Sequence, residues 1–260
     1  MILVRRKQGG RAWIPFSIVG AGTLWSMADM GLLNPAVVGK GIRNTVIFAG
    51  GLFPPPADVV PVLAGAMVET IQIALVGTSL GFAAALPLGL LGASTLFGRT
   101  VTWPLRFIMG AIRTVPSLLW ALIFVVAFGL GPAAGALGIA AYTLGYLGKL
   151  FYELFEGVDR EVIEAVRSAG CNRLQLMRYV LLPEAANAIV SQLLFVFEYN
   201  VRASSILGFV GAGGIGFYML GYVQLLQYRN LMTALLMTFA VVLAIDRLSF
   251  YLRARFLPRG

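Results

Sequence analysis

Histidine is absent from this 260-residue chain, cysteine occurs once, at Cys171, and acidic residues number only 11. Without histidine no H-E-x-x-H site or other histidine-based metal site exists. A single cysteine excludes an intrachain disulfide and a C-x-x-C redox pair, and Cys171 reads as a small apolar filler in a turn. No G-x-x-x-x-G-K-[ST] phosphate loop and no G-x-S-x-G elbow occurs either. The chain therefore lacks recognisable hydrolytic machinery and reads as a non-catalytic subunit that binds no cofactor of its own.

Charge of either sign is also scarce. Only 12% of residues are charged, against about 25% in soluble domains, and 59% are hydrophobic. The bilayer is the expected solvent. A membrane span needs about 20 mostly apolar residues, and six windows qualify, over 12–32, 66–94, 107–130, 133–150, 185–204 and 231–251. This predicts an all-α, polytopic membrane protein with one transmembrane domain over 12–256, flanked by short tails at 1–11 and 257–260. Arg5, Arg6 and Lys7 precede the first run as they would in a signal peptide, but no A-x-A cleavage site follows and the run is long enough to span. An uncleaved first helix is expected.

The net charge of +9 does not point to nucleic acid, because the basic residues are dispersed along loops without interleaved aromatics. Their placement reports orientation instead. With a cytoplasmic amino terminus, the inner side holds Arg5, Arg6, Lys7, Arg11, Arg99, Arg106, Lys149, Arg160, Arg167, Arg173, Arg178, Arg253, Arg255 and Arg259. The outer side holds Lys40, Arg43 and Arg229, with Arg202 near it. That bias follows the positive-inside rule.

Between the spans, 34–61 is polar, glycine-rich and broken by Pro54, Pro55 and Pro56, and is expected to be an extracytoplasmic linker. Pro104 marks the expected start of the third span. Arg113, Thr114, Pro116 and Ser117 then fall inside an apolar stretch, where an arginine is costly unless it faces protein or water. Arg113 and Ser117 are accordingly candidates for a translocation path. The fifth span carries Glu198, Asn200, Arg202, Ser204 and Ser205; Glu198 and Arg202 are four apart and able to pair on one helix face, and Asn200, Arg202, Ser204 and Ser205 join the path candidates. Gly211, Gly213 and Gly216 satisfy G-x-G-x-x-G, but no strand precedes them and no acidic residue follows at the right distance, so this is a flexible or re-entrant outer loop and not a dinucleotide site.

The most specific feature is a charged, glycine-punctuated segment set between apolar runs. Over 161–177 the pattern predicts a short amphipathic helix, a turn at Gly170 and a second short helix, with Pro183 opening the next span. Glu164, Ala165, Gly170, Val180, Leu182 and Pro183 fit E-A-x-x-x-x-G-x9-[IV]-x-L-P. This resembles the cytoplasmic coupling loop of permease subunits in bacterial ABC importers, here about 153–183. Further blocks, Phe53-Pro54-Pro55, Glu69-Thr70-Ile71-Gln72, Asn200-Val201-Arg202 and the Gly211 to Gly216 run, resemble the phosphonate-type permeases of that superfamily and echo the methionine-importer permeases.

The resemblance implies a multi-pass protein of the bacterial inner membrane that moves phosphonate or a related phosphorus oxyanion by alternating access. It implies ABC ATPase subunits that carry the ATP and magnesium, a second permease copy or paralogue, and an extracytoplasmic substrate-binding protein. Glu164, Ala165, Gly170, Leu182 and Pro183 would meet the ATPase. A methionine-like or other small solute is the alternative cargo. Of the other classes, an ion channel leaves the coupling segment unexplained, and a membrane-embedded enzyme lacks convergent acid and base groups. An ion-coupled secondary transporter would ordinarily show internal repeats, which are not seen.

Overall fold

The computed structural model describes residues 13–256. Every regular element among them is helical, and the chain divides into two compact units at Phe53 and Pro54. The expected tails, Arg5, Arg6, Lys7, Arg11 and Arg259 among them, lie outside the described residues.

The first unit holds α1 (Trp13–Asp29) and α2 (Pro35–Gly51). The second helix corrects the expected linker over 34–61. Its start carries the usual signals: the Asn34 side chain accepts from Ala36 N at 3.0 Å, and Pro35 occupies the first turn, where its missing N–H costs nothing.

The second unit contains α3 (Val60–Gly92), α4 (Arg99–Thr114), α5 (Ser117–Phe128), α6 (Pro132–Glu156), α7 (Arg160–Ser168), α8 (Arg173–Leu176), α9 (Leu182–Leu207), α10 (Ile215–Gln224) and α11 (Tyr228–Phe256). Three helices among the described residues are long and apolar enough to cross a membrane: Val60–Gly92, Tyr228–Arg255 and the continuous run Arg173–Val210, which joins α8 to α9. The pair α4 and α5 makes a fourth when counted as one broken span. The expected count of six is thus not reproduced. Of the remaining windows, α1 has only 17 residues. Helix α6 is long enough, but it packs against α3, α4, α5 and α9, and an interior helix needs small residues for close approach more than it needs leucine for lipid.

Gly81 shows how tight that approach is. A Cβ there would lie 2.5 Å from Thr143 Cβ and 2.8 Å from the Ala140 carbonyl oxygen, so α3 and α6 touch nearly backbone to backbone. Below this contact, Ala85, Leu147, Phe151, Phe155, Leu176, Leu181, Ala185 and Ile189 form a buried apolar cluster that ties α3 and α6 to α8 and α9.

Two expectations for the third span need correction. The helix begins at Arg99, not Pro104, with Gly98 as its cap residue and Pro104 inside it. The window 107–130 is also not straight. It bends by 88° between α4 and α5, where Val115 before Pro116 is extended (ψ 120°), the conformation a following proline favours. Trp120 Nε1 donates to the Ile112 carbonyl at 3.1 Å and satisfies one of the acceptors freed at the break.

The Gly211 to Gly216 run is held in place, which corrects the expectation of flexibility. A 3-10 turn over Gly208–Val210 leads into α10. The Ile215 amide donates to Thr70 Oγ1 at 2.8 Å and the Gly131 amide to the Gly211 carbonyl at 2.9 Å.

Candidate functional site

The charged segment over 160–181 folds as its sequence predicts. Asp159 caps α7 by accepting from the Glu161 amide at 2.9 Å. Glu161 sits in the first turn and Arg167 in the last, both favourable to the helix dipole. Gly170 ends the helix at φ +87°, a left-handed turn that side chains resist. Asn172 and Gln175 then open α8 with reciprocal 2.9 Å bonds, a capping box that the sequence reading missed although its residue types and spacing are visible there. Pro183 has no N–H to offer the Tyr179 carbonyl, and the chain passes through a π-helical turn over Met177–Leu181 before α9.

The two faces of this segment differ in purpose. Ile163 and Leu176 are buried in the apolar cluster that includes Phe155 and Leu181, so the segment is glued to the bundle from beneath. Its outer face exposes Glu164, Ala165 and Gly170, together with the apolar Val162, Leu174 and Tyr179, Leu174 at 66%. Leu182 is half-buried and Pro183 exposed beside it.

A polar network braces the attachment. Arg106 Nη2 and Ser94 Oγ both donate to Glu156 Oε1, and the Ser94 amide donates to the same oxygen at 2.9 Å. The Arg106 guanidinium also stacks over the Tyr152 ring, 4.4 Å from its centroid. Burial raises the energy of the Glu156 carboxylate, but the bonds from Ser94 and Arg106 outweigh it and hold the group below the ordinary carboxylate range. Arg167 Nη2 donates to the Thr95 carbonyl and ties α7 to the same loop. Arg99, Thr102, Arg106, Met109 and Arg113 follow at three- and four-residue spacing, a stripe on one face of α4 that the sequence displays but the reading did not use.

The path candidates separate into two groups. Arg113 is half-buried in the last turn of α4, and no carboxylate pairs with it among the described residues. Ser117 is half-buried at the first turn of α5, just past the bend. Arg202 is about half exposed and pairs with Glu198 at 2.6 Å, so its charge is balanced within α9.

Asn200, Ser204 and Ser205 are buried in the packed interior. Asn200 Nδ2 donates to Thr78 Oγ1 at 2.8 Å and Thr143 Oγ1 at 2.9 Å, clasping α3, α6 and α9. Ser204 Oγ donates to the Thr70 and Val201 carbonyls, and Ser205 Oγ to the Val201 carbonyl. In the apolar interior a hydroxyl or amide needs a partner; the two serine hydroxyls and Asn200 Nδ2 find theirs within the chain, whereas the buried Asn200 Oδ1 has none.

Comparison with known proteins follows this geometry. Residues 85–259 match the family described as the binding-protein-dependent transport system inner membrane component. The phosphite transport system permease protein PtxC of Stutzerimonas stutzeri is 30% identical over 96% of this chain and 90% of its own length. The phosphate-import permease protein PhnE of Mycolicibacterium smegmatis is 35% identical over 86% of this chain, which spans 42% of that protein. A solved methionine ABC transporter in an inward-facing conformation is similar in fold, with a TM-score of 0.70, 24% identity and coverage of 78% of this chain and 100% of the matched one.

Proposed function

The chain belongs to the inner membrane component family of binding-protein-dependent transport systems, and we propose that it is the permease subunit of an ATP-driven importer for phosphonate or a related phosphorus oxyanion. In this reading ATP and magnesium are held and used by a partner ATPase, and an extracytoplasmic binding protein delivers the solute. A second permease, a copy or a paralogue, completes the path. The names of the phosphite and phosphate relatives support the cargo class.

The observation that carries the proposal is the segment over 160–181, exposed outside and glued to the bundle beneath. A partner that grips Glu164, Leu174 and the Gly170 turn moves α7 and α8. Because Ile163 and Leu176 share one packed cluster with Phe151 and Phe155 of α6 and Ala185 and Ile189 of α9, that movement passes into both helices. Close-packed interiors transmit displacement and do not absorb it, and alternating access needs two such arrangements whose populations ATP shifts.

Arg113 supplies the path with its charge. Its planar donors match the oxygens of a tetrahedral oxyanion, and an arginine without a carboxylate is tolerated in the membrane when it faces water or an anion.

Coexpression with the ATPase tests the assignment. The complex should copurify in detergent, and Glu164→Arg should release the ATPase while leaving the permease in the membrane fraction. An ATPase that stays bound and fully coupled to Glu164→Arg would remove the coupling role from this segment.

A further inference from the structure

Where α7 and α8 face the turn between α3 and α4, the fold leaves an open, polar pocket of about 350 Å³. Arg167 and Arg173 line it from one side and Thr95 and Gly98 from the other, and no carboxylate is among the lining residues. Neither arginine forms an ion pair among the described residues. Arg167 gives one donor to the Thr95 carbonyl, and Arg173 lies over the Phe97 ring, 5.6 Å from its centroid. Both guanidinium groups keep donors for a further acceptor.

Helix α4 begins at this pocket and adds to its positive field. Its cap residue, Gly98, has no side chain to accept from the first amides, its first turn holds no acidic residue, and Arg99 stands there instead. The amino-terminal end of a helix carries about half a positive charge and N–H groups without intrahelical partners. Arg99 therefore strengthens a field that an acidic residue would ordinarily oppose. Glu156, bonded to the neighbouring Ser94, is already held by Arg106 and does not neutralise the pocket. Thr95 leaves another group unmet, because its buried Oγ1 has no hydrogen-bond partner, which is uncommon for a hydroxyl away from water. One turn further along α4, Trp103 stacks on Phe107 at 6.0 Å, and both rings stay exposed. Exposed aromatic rings suit the membrane–water boundary, so the pocket lies about one helical turn, about 5.4 Å, to the headgroup side of them.

We propose that this pocket binds a phosphate group, held by Arg167 of α7, Arg173 of α8 and the first amides of α4. Guanidinium forks and helix amino termini both match the oxygens of a tetrahedral anion. The volume equals about a dozen water-sized shares of about 30 Å³, room for the group and its bridging waters. A lipid headgroup and free inorganic phosphate offer the same chemistry, one from the bilayer and the other from the cytoplasm. Once bound, the group joins α7 and α8 to the α3–α4 turn and braces the segment on which the ATPase acts. Arg113, at the opposite end of α4, takes no part. An acidic side chain of the ATPase is the competing occupant, but the level of the pocket beside Trp103 favours phosphate.

The test uses the full-length permease in lipid nanodiscs without ATPase or solute, so its outcome is independent of the import reading. The thermal midpoint is measured with inorganic phosphate against chloride at equal ionic strength in phosphatidylcholine discs, and again in discs that include phosphatidylglycerol. A ligand of the folded state raises the midpoint. A rise with inorganic phosphate supports the site and identifies the free anion as its occupant; a rise with phosphatidylglycerol alone supports it and identifies the headgroup. In Arg173→Gln the phosphate concentration that gives half the rise should increase at least about tenfold, the loss expected for a hydrogen bond to a charged group, and the rise with phosphatidylglycerol should disappear. Arg173→Lys should recover part of either effect. Arg255→Gln, which removes an exposed charge outside the pocket, should match the native protein. No rise with either phosphate source, a rise that Arg173→Gln leaves intact, or an equal loss in Arg255→Gln would overturn the proposal. Loss of ATPase copurification in Arg173→Gln with phosphate binding intact would give the pocket to the ATPase instead.

Discussion

Arg106 and Glu156, fifty residues apart in sequence, form an ion pair that binds α4 to the end of α6 from which the exposed segment departs. The pair also sets a pH dependence. The Glu156 carboxyl titrates below the ordinary carboxylate range in the folded protein, so its contribution to stability is complete above the unfolded value of about 4.3 and is lost as pH falls through the lower folded value. Acid unfolding of the detergent-solubilised permease should therefore be less steep in Glu156→Gln, which has no such proton to take up. The same variant should lose stability at neutral pH. An identical acid limb in both proteins would show that the pair does not act this way.

Gly81 and Gly65 lie on the same helix in opposite situations. A Cβ at Gly81 meets Thr143 at 2.5 Å, and one at Gly65 meets nothing within 4 Å. Gly81→Ala should destabilise the bundle by about 1 to 3 kcal/mol, the usual range for overpacking. Gly65→Ala should be neutral or slightly stabilising. Thermal denaturation in detergent distinguishes them, and equal midpoints would contradict the close approach of α3 and α6.

Asn200 clasps α3, α6 and α9 through its bonds to Thr78 and Thr143. Asn200→Ala should cost about 1 to 2 kcal/mol, from its interhelical bonds to Thr78 and Thr143 and the space left behind. The relative uptake of different phosphorus oxyanions should not change. A variant with native thermal stability and altered solute preference would return Asn200 to the path.

Arg113→Gln should reduce uptake at least about tenfold, since a hydrogen bond to a charged group contributes about 1.5 to 3 kcal/mol. Arg113→Lys should recover part of it, because the charge stays and the planar fork is lost. Size-exclusion chromatography should show both variants assembled with their partners. Unchanged uptake kinetics in Arg113→Gln would leave the residue a structural role.

The exposed segment was legible because its signals are local: Asp159, Glu164, Gly170 and Pro183 are read in order, within one turn or two of their effects. Helix α2 was equally local in its start, with Asn34 and Pro35, yet the glycines and the three prolines that follow it drew the whole stretch into a linker. The interior contacts were less legible, for another reason. Periodicity places Asn200 and Ser204 on α9, but whether their face meets water or meets Thr78, Thr143 and Thr70 depends on two other helices. The stacking of Tyr142 of α6 on Tyr199 of α9 likewise joins two distant parts of the chain, a contact that no pattern on a single helix reports. The arginine stripe of α4 and the Asn172–Gln175 capping box were both visible in the sequence and unused.

Import of a phosphorus oxyanion by this chain at the expense of ATP hydrolysed by a partner is the central claim to test. The direct measurement is uptake of labelled phosphonate into proteoliposomes that carry the permease, its ATPase and its binding protein. Accumulation should require ATP on the ATPase side and cease when the ATPase is omitted or when Glu164→Arg replaces the native permease. Accumulation driven by a proton or sodium gradient without ATP would contradict it.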